Sequence, residues 1–364
     1  MTELFEPLSF LRGPDMKNRF MLAPMTNYQS HSDGRLSEDE FRWLTYRAAG
    51  GFGLVMTCAA HVQKVGQGFS GQLGIFSDDQ LPGLTRLAEA LRAEGARSSV
   101  QLVHSGIRAP AGLIGGQPRG PSNDEQTGAR AMTNEEIEGV IEDFIAAALR
   151  AEKAGFDGVE LHGAHGYLLC QFLSPQTNRR LDRWGGPLAN RTRVLFDIIS
   201  GVRANTRASF QLGLRLSPER YGLDFTEQRE VARWMLSSGD LDYVDLSLWD
   251  AFKAPINTAF AAKPLLDWFT DLPRAGTRLA AAGKFYSGPD VRRALDHGLD
   301  FAVIGHAGIL HHDFPRCIAH DPEFAAMNLP VTRSYLRRER IGNAFMAYLS
   351  GRDGFVKDIG ADAE

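Results

Sequence analysis

"TNEEIEGVIEDFIAAALRAEKAGFDGVELH", residues 133–162, reads as one helix followed by one strand, and that order decides the fold. Thr133 and Glu136 make a capping box, after which Ile137, Val140, Ile141, Phe144, Ile145 and Ala148 recur on one helical face. The run at 157–162 then carries the density of apolar residues expected of a strand buried on both faces. Similar runs stand at 19–24, 53–60, 98–104, 211–217, 242–249, 277–284 and 301–306, with helical patterns between them. Eight such units close into a (β/α)8 TIM barrel, an α/β fold, as a single domain. Two long βα loops follow strands 3 and 4, at 105–132 and 163–187. We place the barrel at 1–330. A C-terminal helical extension, 331–364, is expected to pack as an amphipathic helix on the barrel or on a neighbouring subunit, which allows a homo-oligomer.

The 364 residues carry 40 basic and 44 acidic side chains, a net charge of −4. So mild a balance gives no electrostatic case for nucleic acid or an anionic membrane, and points to a small-molecule substrate. No apolar run approaches the roughly 18 residues of a membrane span. The N-terminus is acidic where a signal peptide would be basic. Cys58, Cys170 and Cys317 are far apart with no C-x-x-C spacing, which argues against a zinc ribbon, an iron-sulfur cluster or a disulfide framework and fits a reducing cytoplasm.

Barrel enzymes keep their chemistry at the C-terminal ends of the strands. Those ends carry Thr26 and Tyr28, Gln101 and His104, then His162, His165 and Tyr167, and finally Arg215, Lys284 and His306. A lone histidine in a barrel loop is more often a hydrogen-bonding residue than a ligand, but several polar groups at one mouth are harder to dismiss. His104, His162 and His165 could offer three imidazoles to zinc, as a metal-dependent hydrolase or lyase would require; no carboxylate lies close on the loop side, and we assign no metal. Gln101 and Arg215 lie inside apolar strands, where an unpaired charge is costly, so a buried polar or anionic ligand is expected. Gly283 and Gly305, with Lys284 beside the first, sit where barrels commonly bind phosphate.

Several stretches together resemble the Old Yellow Enzyme family of FMN-dependent oxidoreductases. They are "NRFMLAPMTNY" (18–28), "YRAAGGFGLVMT" (46–57), "QLVHSGIR" (101–108), "ELHGAHGYLLCQFLSPQTNRRLDRWGGPLANR" (160–191), "LGLRLS" (212–217) and "AVIGHAGILHHDFP" (302–315). The resemblance implies an NADH- or NADPH-dependent ene-reductase in which Ala23, Pro24, Met25, Thr26 and Ala59 line the flavin. Gln101 and Arg215 would hold its pyrimidine side, and Gly283, Lys284, Gly305 and His306 its phosphate. His162 and His165 would bind the substrate carbonyl, Tyr28 would orient the substrate, and Tyr167 would donate the proton. The remaining alternative is a flavin-binding protein without turnover. Two positions depart from the family pattern: His306 replaces an arginine that contacts phosphate, and Cys58 replaces an acidic residue.

Overall fold

Alternation along the strands sorts the apolar residues into two cores. A computed structural model describes residues 3–357. Within it β1 (Phe20–Leu22), β2 (Leu54–Met56), β3 (Arg97–Val103) and β4 (Gly158–Gly163) are followed by β5 (Gln211–Leu216), β6 (Tyr243–Ser247), β7 (Arg278–Ala282) and β8 (Phe301–Ile304). Each pairs in parallel with its neighbours, and β1 pairs with both β2 and β8, so the sheet closes on itself. The chain is therefore the (β/α)8 barrel that its sequence implies.

Phe20, Leu22, Val55, Val159 and Leu161 join one apolar cluster with Phe144 and Ile141, on the helix side of the strands. Met21, Leu54, Met56, Ala280, Phe301 and Val303 form a second cluster with Leu8 and Met16. Side chains of a strand alternate between faces, so this second set fills the barrel interior. Leu8 and Met16 come from an N-terminal turn that bridges antiparallel to itself, and Phe10 packs edge-on to Tyr243 and Phe301. One end of the barrel is thereby plugged with hydrocarbon, and polar chemistry is left to the other.

The covering helices are α1 (Glu38–Ala49), α2 (Leu81–Ala93), α3 (Asn134–Lys153), α4 (Arg193–Asn205), α5 (Phe225–Ser237), α6 (Gly288–Asp296) and α7 (Phe314–His320). The capping box of α3 is present as expected: Thr133 Oγ1 accepts from Glu136 N, and the Glu136 side chain accepts from Thr133 N. Between β6 and β7 the crossover is reduced to short turns at Thr258–Phe260 and Asp267–Thr270.

Two expectations need correction. Several runs read as strand extend past the ladder, because Trp249 and Lys284 have φ of 65° and 61°, left-handed values that end a strand. The extension is two helices, α8 (Arg333–Arg338) and α9 (Asn343–Ser350), instead of one. The break falls at Arg340, with φ of 60°, and at Gly342, whose amide donates to Gln29 Oε1 at 2.9 Å. α8 packs into the outer core through Leu336 and α9 through Phe345, edge-on to Trp43 at 5.5 Å; residues 358–364 of the expected extension lie outside the described residues.

Arg47 of α1 fastens this assembly. It is fully buried and donates to the carbonyls of Trp43, Gly308, Ile309 and Glu339 at 3.0–3.2 Å for the first three and 2.8 Å for the last. Arg47→Leu would take this donor from the buried carbonyls of Gly308, Ile309 and Glu339, and urea denaturation should show a loss of about 3–5 kcal/mol; a change within error would mean that water reaches the carbonyls.

Candidate functional site

The polar ends of β3 to β6 are neighbours by register: Gln101 lies beside Glu160, His162 beside Arg215, and Arg215 beside Asp245. Gln101 Nε2 donates to Glu160 Oε1 at 2.7 Å. Arg215 Nε stands 3.0 Å from Asp245 Oδ2, an ion-pair distance whose angle is too poor for a hydrogen bond. The charge of Arg215 thus has a protein partner. The inference of a polar or anionic ligand from an unpaired charge therefore loses its premise at Arg215. Glu160 and Asp245 are both fully buried near a single guanidinium, and burial followed by the Asp245 charge raises the pKa of Glu160.

Above this layer opens a cavity of about 300 Å³. Pro24, Met25 and Thr26 line it from the end of β1, Ala59 from β2, Gln101 from β3, and His162, His165 and Tyr167 from β4. The C-terminal extension forms the opposite wall with Phe345, Tyr348, Leu349 and Arg352. A second cavity of about 340 Å³ is bordered by Gly283 and Lys284 after β7 and by Gly305 and His306 after β8. His306 and Arg352 line both, so they mark the neck between them.

Ala23 is buried in the interior cluster, where its amide donates to Ile304 O at 3.0 Å. Arg215 lies in the polar layer, not in the cavity lining. Tyr28 borders an adjoining hollow, with its ring between Phe69 at 4.6 Å and Tyr348 at 5.0 Å. His104 is 1% exposed, and its Nδ1 accepts from Gly106 N at 3.0 Å. It does not join His162 and His165: among the described residues no group of three His, Cys, Asp or Glu side chains is placed to hold a metal ion. The three-imidazole reading therefore has no site.

His162 Nδ1 accepts from Ala164 N at 3.3 Å, which leaves the proton on Nε2. That nitrogen is 3.2 Å from His165 Nδ1, and His165 Nε2 is 2.6 Å from Ser247 Oγ, so one direction of donation satisfies the whole chain. Both rings are neutral: burial first, then neighbouring charges, hold His162 well below its ordinary pKa and bring His165 down to about 3. The Tyr167 ring stands edge-on to His162 at 4.9 Å, and burial raises the pKa of its phenol. Arg108 lies 4.8 Å over that ring and donates to His165 O. The loop carrying Arg108 is held by Gln171, whose Oε1 accepts from Ile107 N at 3.1 Å while its Nε2 donates to Ser105 O at 3.1 Å. Gly106 is required there, with φ of 61° and room for no Cβ beside the Gln171 amide.

Tyr28, His165, Trp249 and Lys284 are non-glycine residues with φ of 59°, 60°, 65° and 61° at four different strand ends. Left-handed conformations in large residues persist only where the surroundings impose them, and they cluster at functional sites. Cys58 is buried next to Ala59, and burial followed by the charge of Glu40 puts its pKa well above the usual value. Glu40, itself buried, accepts from Asn27 Nδ2 at 3.1 Å and from Ser30 Oγ, so α1 brings a carboxyl to the end of β2 where residue 58 has none.

The sequence model of the NADH:flavin oxidoreductase / NADH oxidase family matches residues 3–257. The chain belongs to that family. It is 38% identical over 313 residues to the probable NADH-dependent flavin oxidoreductase YqiG of Bacillus subtilis (strain 168), covering 83% of this chain and 84% of the relative. The Old Yellow Enzyme homologue from Zymomonas mobilis has a TM-score of 0.77 and 27% identity, over 95% of this chain and 99% of that one. Morphinone reductase in complex with tetrahydroNAD has a TM-score of 0.77 and 26% identity, over 99% of both chains. This Old Yellow Enzyme relative is an NAD(P)H-dependent oxidoreductase, and FMN is its cofactor. Among the described residues no helix is long and apolar enough to cross a membrane.

Sequence reasoning missed Arg108, Ser247, Tyr348 and Arg352. Arg108 stands within the 101–108 motif and Ser247 at the end of β6, so the strand-end rule itself is the signal that marks both. Tyr348 and Arg352 carry no signal, since only the return of the chain across the barrel brings them to the mouth.

His61 and His104, 2% and 1% exposed, are held by burial at pKa values of about 4 and about 3. An unfolded histidine titrates near 6.5, so between that pH and about 4 the unfolded chain binds more protons and stability falls on acidification. In urea unfolding between pH 4 and 6, His104→Gln should reduce the slope of stability against pH by roughly 1.4 kcal/mol per unit; an unchanged slope would show that His104 is protonated in the fold.

Proposed function

We propose that this protein is a cytoplasmic ene-reductase that reduces the activated C=C bond of α,β-unsaturated carbonyl compounds. The grouping of His162, His165 and Tyr167 in the cavity bordered by Thr26 and Gln101 carries the reading. Two features of the site suit FMN. A Cβ on Gly305 would meet nothing within 4 Å, so a ligand can approach the backbone in the second cavity. Gln101 uses its Nε2 on Glu160, which leaves its carbonyl oxygen as the acceptor offered to a flavin N–H. Pro24, Met25, Thr26, Ala59 and Gln101 would border the ring system, with Arg215 contributing charge from below. Gly283, Lys284, Gly305 and His306 would receive the phosphate end. Residues 1–330 would thus form the cofactor-binding barrel, and the extension from 331 would close its mouth.

FMN held by these residues would supply hydride-transfer chemistry, with NADH or NADPH as reductant and the β-carbon of the alkene as acceptor. Negative charge then develops on the substrate carbonyl oxygen. His162 and His165 answer it as neutral donors, which requires at least one to exchange its present partner, His165 Nδ1 or Ser247 Oγ, for that oxygen. Tyr167, with its pKa raised, keeps its proton at neutral pH and delivers it to the α-carbon. Tyr28 bounds the substrate from the adjoining hollow.

The direct test is stopped-flow reduction of the purified yellow protein by each nicotinamide, then reoxidation by an enone. Colourless protein that takes up no added FMN would refute the reading, and absence of enone-dependent reoxidation would leave a flavoprotein of another kind. Tyr167→Phe should slow the reoxidation step by roughly 10²-fold while leaving reduction by nicotinamide intact; equal loss in both steps would remove Tyr167 from the proton-donor role.

A further inference from the structure

The cavity beside β7 and β8 has three cationic candidates, and two are compromised. Lys284 Nζ lies 3.2 Å from Asp250 Oδ2, so its charge already has a carboxylate partner. His306 Nδ1 is 3.1 Å from the Tyr286 hydroxyl, and its ring meets Phe355 edge-on at 5.4 Å. Burial first, and then the charge of Arg352, lower the pKa of His306, so this imidazole is neutral around pH 7.

Arg352 is the third. Its guanidinium lies 4.7 Å over the Tyr348 ring and donates to that phenol oxygen; among the described residues it pairs with no carboxylate. The backbone fixes its place: Arg352 N donates to Leu349 O at the end of α9, and Phe355 N returns to Arg352 O, both at 3.1 Å. Phe355 O in turn accepts from Val331 N at 3.0 Å, where a short parallel pair joins 331–332 to 356–357. A turn anchored on both sides therefore holds, at the neck of the two cavities, a guanidinium whose partner is a phenol and not a carboxylate.

Resting on the FMN reading above, we infer that Arg352 is the principal cation for the phosphate end of the cofactor, supplied by the C-terminal extension in place of a side chain at 306. A guanidinium suits the task. It stays charged at every working pH and presents donors in a planar fork that matches phosphate oxygens. The extension then forms part of the cofactor site, and the barrel alone does not complete it.

The test titrates FMN and riboflavin separately onto the full-length apoprotein, followed by quenching of flavin fluorescence. Arg352→Gln should weaken FMN about tenfold or more and leave riboflavin, which has no phosphate, unchanged. Adding His306→Arg to that variant should recover FMN affinity, and raising the salt should narrow the gap between wild type and Arg352→Gln. Unchanged FMN affinity in Arg352→Gln would overturn the assignment, as would an equal loss for both flavins, which would make Arg352 a packing partner of Tyr348. Failure of the wild-type protein to bind either flavin would overturn the FMN reading itself, and this inference with it.

Discussion

The fully buried guanidinium of Arg47 joins three parts of the chain that are far apart in sequence. Its donors reach α1, the turn after β8 and the extension at Glu339. Ile309, one of the carbonyls it holds, also lines the main cavity. Because burial pulls the Arg47 pKa down to about 9, with Glu339 opposing the shift, the geometry of these acceptors has to be good for the charge to survive. The wall formed by Phe345, Tyr348 and Arg352 takes its position from the same anchor.

The barrel interior shows a second constraint. One end is closed by Leu8, Met16, Met21 and Phe301, and water is excluded from it. At the other end, Gln101 donates to Glu160 and Arg215 stands at ion-pair distance from Asp245. A single guanidinium between two buried carboxyls favours one proton staying in the layer, which keeps the charge close to neutral directly below the cavity. An environment of fixed dipoles below the cavity suits a reaction in which charge appears on a substrate oxygen.

Much of this was legible in the residues. The eight apolar runs carry the barrel because strands buried on both faces leave a continuous hydrophobic trace, and the Thr133–Glu136 box marks a helix start through side-chain chemistry alone. The β4 motif places His162, His165 and Tyr167 together because they lie within one strand and its turn. What escaped depended on distance along the chain. Asp245 beside Arg215 follows from strand register, which no local pattern encodes, and the ends of the runs near Trp249 and Lys284 were overrun because backbone sign is invisible in apolar content. Arg352 and Tyr348 reach the mouth only because the chain breaks at Arg340 and Gly342 and turns back across the barrel.

The buried thiol of Cys58 sits one residue from the wall of a cavity proposed to receive activated alkenes. Such compounds are Michael acceptors, and they alkylate thiolates. Burial keeps Cys58 protonated, and it raises Cys170 to about 12 and Cys317 to about 11 as well. Under the proposed reading, the hydride and not a cysteine sulfur is the nucleophile that the cavity offers to such an alkene.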